Sequence, residues 1–233
     1  MKQAIDFSHI QQTFLDVGSR RKSQCSYMLL VTKGCAFIRL GKNEFAVKAG
    51  GGFYIPFDCL HAVTVLPGSE YYKVSFSARL LAAANHQPQL CRDAGYFNAT
   101  PLITAVCSEL ATLARKGNEL AMAGKTGNLL RVLADQIYGM KVHTKSTSPG
   151  LAKHDEEKLA KLLSGDTITD IDSVCEYLGF THNELVSCLL MREAIKLSRS
   201  GRKAGQIAQS LNTPVELLSA MAEPILGKPL SQA

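Results

Sequence analysis

The sequence predicts an α+β chain in two parts: a β-barrel-like or sandwich-like first part with a helical pair, then an all-α second part. Three observations predict this. Short apolar runs separated by turn residues fill Ser26 to Ser77, apolar residues recur at helical spacing beyond Ala78, and two helix-turn-helix-like stretches occupy the last third. The divisions fall at 1–142, a polar linker at 143–150, and 151–233.

The strand series runs in order. Tyr27–Thr32 turns at Lys33-Gly34 into Cys35–Leu40, and Gly41-Lys-Asn43 turns into Glu44–Val47. Phe53–Ile55, His61–Leu66 and Tyr71–Phe76 follow, parted by Pro56 and by Pro67-Gly68. Such spacing indicates a sandwich or small barrel. Leu102–Arg115 and Gly127–Val142 then carry Ile103, Val106, Leu110 and Leu113, and Leu130, Leu133, Ile137 and Met140, as expected for two antiparallel helices. Their apolar stripe is either a dimer surface or plain core against the strands. His143-Thr-Lys-Ser-Thr-Ser-Pro-Gly150 has a linker's composition.

The last third holds Ile171-Asp-Ser-Val-Cys-Glu-Tyr-Leu-Gly-Phe-Thr-His-Asn-Glu-Leu185 and Gly205-Gln-Ile-Ala-Gln-Ser-Leu-Asn-Thr-Pro-Val-Glu-Leu-Leu218. Each has a small residue for close helix packing (Cys175, Ala208) and a Leu-Gly or Leu-Asn turn that tolerates left-handed backbone. A hydroxyl residue, Thr181 or Thr213, is then placed to cap the next helix. From Thr181 to about Ser200 no Gly or Pro interrupts, which predicts one continuous helix.

Composition narrows the function. No apolar run approaches the roughly 20 residues of a membrane span, and the N-terminus lacks a signal-peptide core, so no membrane partner and a cytoplasmic location are expected. The seven cysteines (Cys25, Cys35, Cys59, Cys91, Cys107, Cys175, Cys188) form no zinc-finger spacing, and most of them read as small buried hydrophobes. Net charge is +6, yet residues 1–150 hold 17 Lys+Arg against 9 Asp+Glu, whereas 151–233 hold 9 against 11. The helix-turn-helix part is therefore the less basic one, contrary to the usual footprint of a nucleic-acid binder.

Together these motifs resemble the AraC/XylS family of bacterial transcription regulators. Gly52-Phe-Tyr-Ile-Pro-Phe-Asp-Cys-Leu-His61 is similar to the stretch of its ligand-sensing cupin, and Ser173–Thr181 to its first helix-turn-helix unit. Met191–Leu197 is similar to the joining helix, and Gln206–Leu211 through Gly227-Lys-Pro229 to the second unit. The resemblance implies a cupin-like β-barrel, a homodimer through the 102–142 helices, a small-molecule effector and double-stranded DNA as partner. It departs in three places: the units stand closer together, the Gly-x-Ser-Pro turn before the joining helix is absent, and Ala222-Glu-Pro224 replaces a basic cluster.

The reading helices would offer Thr181, His182, Asn183 and Ser187, then Thr213, Glu216 and Ser219. Asn183 is the one conventional adenine reader among them. Phosphate contacts would fall to Arg192, Lys196, Arg199, Arg202 and Lys203, which otherwise make a solvated helix face and a basic loop. Arg39, Tyr54, His61 and Tyr72 are the candidates for lining an effector pocket in the barrel; Arg20-Arg21-Lys22 reads as a solvated run, and the resemblance implies an arm there able to fold over the pocket. Metal-binding cupins use His-x-His and Glu. This chain has only Cys59 and His61 in one strand, so no metal, cofactor or enzyme activity is expected. The alternative to DNA reading is a regulator that acts by binding another protein.

Overall fold

The computed structural model describes residues 3–77 and 90–230. Ten strands form two antiparallel sheets, and seven helices follow among the described residues. The strands are β1 (Ile5–Gln12), β2 (Asp16–Val17), β3 (Arg21–Lys22), β4 (Ser26–Lys33), β5 (Cys35–Leu40), β6 (Asn43–Lys48), β7 (Gly52–Ile55), β8 (Leu60–Val65), β9 (Ser69–Phe76) and β10 (Gly95–Phe97). One sheet has the order β1-β9-β4-β7-β10. The other has β2-β8-β5-β6, with β3 also pairing on β8. The six strands expected from sequence are present, and β1, β2, β3 and β10 are additions. The sheets face each other as an open sandwich, so the expected barrel is not closed.

Three apolar layers explain why the central strands read as unbroken apolar runs. In β4, Tyr27, Leu29 and Val31 point between the sheets with Ile38, Phe45 and Phe53, while Met28 and Leu30 point outward. In β5, Ala36 and Ile38 face in, and Cys35 and Phe37 face out. Strands covered on both faces keep no polar alternation. Gly52 sits where any side chain would strike the Phe97 ring, 2.5 Å from an added Cβ, which lets β10 close on β7.

The outer face of the first sheet is covered by α1 (Pro101–Arg115) and α2 (Gly124–Ile137). Leu110, Leu130, Leu133 and Ile137 are fully buried there, so this stripe is monomer core. Any pairing of two copies through these helices has to use their outward residues, Leu102 among them, which is 47% exposed.

The outer face of the second sheet is covered by the C-terminal helices α3 (Lys153–Ser164), α4 (Asp172–Leu178), α5 (His182–Arg199), α6 (Ala204–Ser210) and α7 (Val215–Leu226). Leu15, Val17, Cys35, Phe37, Ala46 and Leu66 share one buried cluster with Leu163, Leu178, Met191, Ile195 and Leu226. The polar stretch 143–150 is tied down on both sides. His143 bridges Tyr96, Thr147 accepts from the Ala46 N–H, and Glu156 Oε1 accepts from Ser146, Thr147 and Ser148. Partial burial works against ionisation of Glu156, but these hydrogen bonds outweigh it and hold its pKa below the ordinary value. The segment therefore has a linker's composition and a scaffold's structure.

Candidate DNA-facing edge and cationic cleft

Two helix-turn-helix pairs are present, α4–α5 and α6–α7. Gly179 (φ 76°) makes the first turn and Asn212 (φ 47°) the second, each in the left-handed region. Thr181 caps α5 through a reciprocal capping box: its Oγ1 accepts from the Glu184 N–H, and Glu184 Oε2 accepts from the Thr181 N–H. Hydrogen bonds from Thr181, first its hydroxyl and then its amide, lower the Glu184 pKa. With no breaker inside, α5 runs unbroken to Arg199, and Ser200-Gly201 ends it.

The C-terminal half of α5 is turned toward the sandwich. Arg192 is 1% exposed, and its Nη1 and Nη2 donate to the two Glu44 carboxylate oxygens at 2.7 and 3.0 Å. Nη2 also donates to the Leu163 carbonyl at 2.9 Å, and Nε to Glu193 at 3.2 Å. One guanidinium thus joins β6, α3 and α5. Lys196 donates to Glu193 at 2.7 Å, and burial lowers its pKa. Arg199 donates to the Val17 carbonyl. The expectation that Arg192, Lys196 and Arg199 anchor phosphates is corrected for Arg192, which is inaccessible; Lys196 is paired with Glu193 of its own helix, and Arg199, though exposed, donates to the Val17 carbonyl. The partner that decides this, Glu44, is a single carboxylate in a hairpin strand, and no local motif marks it.

The opposite end is free. Asn183 is exposed, Ser187 half-buried, and Thr181 and Glu184 occupied by capping. In the second pair, Ser219 and Glu216 are exposed, and the Thr213 hydroxyl donates to the Leu211 carbonyl. Arg202 donates to Ser210 at 2.6 Å, and Lys203 precedes α6 with its N–H held by Gln206. The far end of α7 also meets the sandwich, where Leu15 N–H donates to the Ile225 carbonyl at 2.8 Å. Both second helices therefore begin on the side away from the sheets.

Between the two pairs, Ser210, Leu211 and Asn212 line one cleft with His182, Val186, Leu190 and Glu193.

The four residues expected in one barrel pocket are divided by the structure. His61 alone points between the sheets, 4% exposed, with Nε2 2.5 Å from the Tyr27 hydroxyl and Nδ1 2.9 Å from the Cys59 carbonyl. Tyr54 is buried beneath α1 and α2, and Tyr72 makes tilted ring contacts with Phe7 and His9 outside the sheet. Strand alternation explains this: Phe37 and Arg39 do share a face, but it is the outer one. The space at the sandwich mouth is only about 90 Å³ because aromatic side chains fill the interior. Among the described residues no cluster of three His, Cys, Asp or Glu could hold a metal, and no helix is long and apolar enough to cross a membrane.

Burial lowers the His61 pKa from its ordinary value of 6.5, aided by Arg21 and Lys73. The unfolded chain then binds more protons than the folded one below 6.5. Stability should be full above that pH and fall as pH drops toward the depressed folded value. His61→Gln should flatten this slope in melts recorded at several pH values; an unchanged slope would assign it to other groups.

Arg39 lies instead beside a cleft of about 390 Å³ between the second sheet and α5. Arg20, Arg39, Lys196 and Arg199 line it, and Glu44, already held by Arg192, is its one carboxylate among the described residues. The volume is within the usual range of small-molecule sites, about 300–1,000 Å³.

No protein-family model matches the chain, and no curated protein matches its sequence. Among solved structures the chain is similar to a lysine-to-alanine variant of apo ToxT from Vibrio cholerae strain SCE256, at 12% identity and TM-score 0.44, over 99% of this chain and 97% of that one. It is also similar to ToxT from Vibrio cholerae O395, at 14% identity and TM-score 0.39, over 99% and 97%. Over 33% of this chain and 71% of the other, it is similar to a cupin superfamily protein from Desulfitobacterium hafniense DCB-2, at 13% identity and TM-score 0.30. At these identities and scores the likenesses carry no functional argument.

Proposed function

We propose that the chain is a DNA-binding transcription regulator whose two helix-turn-helix pairs are set by their seat on the sandwich and adjusted by a small organic anion. The observation that supports it best is the common direction of α5 and α7: both end on the sandwich, through Arg192, Arg199 and Ile225, and both begin at a free edge. Asn183 would read a base, with His182, Ser187, Thr213 and Ser219 beside it. Arg202 and Lys203 would hold phosphates.

A gel-shift series on genomic fragments, followed by footprinting, tests this. Asn183→Ala should alter sequence preference, and Arg202→Ala with Lys203→Ala should weaken all sequences about equally and flatten the salt dependence by about two units. Absence of any shift at low salt would overturn the reading. The anion cleft has its own test: an aliphatic or aromatic carboxylate should raise the melting temperature, and Arg20→Ala with Arg39→Ala should remove the rise. A rise that survives the double variant would place the anion elsewhere.

The burial of Arg192, beside exposed Glu184 and Glu216, favours a second reading, a regulator acting by binding another protein. A partner captured after nuclease treatment, with no duplex shift, would select it.

A further inference from the structure

We infer that the cleft between the two helix-turn-helix pairs is a binding site for an organic cation with an apolar body. It is separate from the anion cleft, and α5 divides the two. Its volume is about 430 Å³, and Ile168, Val186, Leu190 and Leu211 offer half-buried apolar surface inside it. Its fixed-charge lining side chains are carboxylates. Asp166 and Glu193 line it, and neither lysine nor arginine does, among the described residues. Glu193 is shared with Arg192 and Lys196 through Oε1, whereas Asp166 carries no ion pair among the described residues. The C-terminal end of α3 forms one wall through Leu162, Leu163 and Gly165, its Leu163 carbonyl taken by Arg192, and the start of α5 forms another, capped by the Glu184 carboxylate. An anion would meet the Asp166 carboxylate, and a neutral apolar group leaves that carboxylate unused. An amine or guanidinium beside Asp166, with its hydrocarbon part against Val186 and Leu190, satisfies both. Because His182 and Asn212 stand on the rim, such a ligand bears on the relative setting of the two helix starts.

The test compares phenethylamine with 3-phenylpropionate, close in shape and opposite in charge, on the full chain without DNA, by methyl NMR. Failure here is therefore distinguishable from failure of the nucleic-acid reading. Phenethylamine should shift the Ile168, Val186, Leu190 and Leu211 methyls saturably, and 3-phenylpropionate should leave them at least about fivefold less responsive. Asp166→Asn, at an exposed loop position, should weaken the amine about two- to fivefold with the fold intact. Val186→Trp should fill the cleft and abolish the shifts. Equal response to both compounds, shifts confined to other methyls, or no effect of Asp166→Asn would each overturn the proposal.

Discussion

Replacing Glu44 by alanine should cost about 3 kcal/mol, the low end for breaking a buried ion pair. The cost arises from what is left behind: Arg192, 1% exposed, keeps only Glu193 and the Leu163 carbonyl. Arg192→Met should be far milder, about 1 kcal/mol or less, because it removes the buried charge itself. Glu44 would then remain near Arg39, its cross-strand neighbour, and Lys196, whose charge already acts on the same site. The asymmetry between two variants of one contact is the signature. Thermal melts check it, with the Glu44 variant lowered by roughly 6–12 °C at about 2–4 °C per kcal/mol for a chain of this size. Equal losses would mean that the pair is solvated.

The second large effect is expected at Phe37, which is 0% exposed and faces outward from β5 into the C-terminal helices. Phe37→Ala should cost about 3–5 kcal/mol, the usual range for emptying an aromatic site in a core. The structure also places the damage. The cavity opens between the second sheet and α5, so the C-terminal helices should exchange amide protons faster than the sandwich interior of Leu29, Ile38 and Phe53. The wild type should melt as one unit because a single apolar cluster spans β5 and α3 to α7. A Phe37→Ala protein that loses stability evenly in both parts would contradict this seam.

Much of this architecture is readable from local pattern. Gly, Pro and Asn mark the turns of the central strands, and uninterrupted helix formers from His182 to Arg199 mark α5. Edge strands are harder. Ile-Asp-Phe-Ser-His-Ile-Gln-Gln of β1 alternates on only one covered face, and two- or three-residue strands such as β2, β3 and β10 have no periodicity to find. The functional surface is less legible for a different reason. Alternation along β5 correctly groups Phe37 with Arg39, but only tertiary packing decides which face lies inside. Likewise, helical spacing gathers Arg192, Lys196 and Arg199 onto one side of α5, and nothing local says that Glu44, far away in sequence, claims that side. Charge clusters show that cations will be used and leave open by what.

In the proposed function α5 holds the sandwich with its second half and would meet DNA with its first. Hydrogen–deuterium exchange of the whole chain with and without bound duplex reads this directly. Protection should appear over 181–187 and 213–219, with 192–199 and strands β5 and β6 unchanged. Protection along 192–199, accompanied by faster exchange at Phe37 and Ala46, would show that the helices leave the sheet to bind, and the account would be wrong.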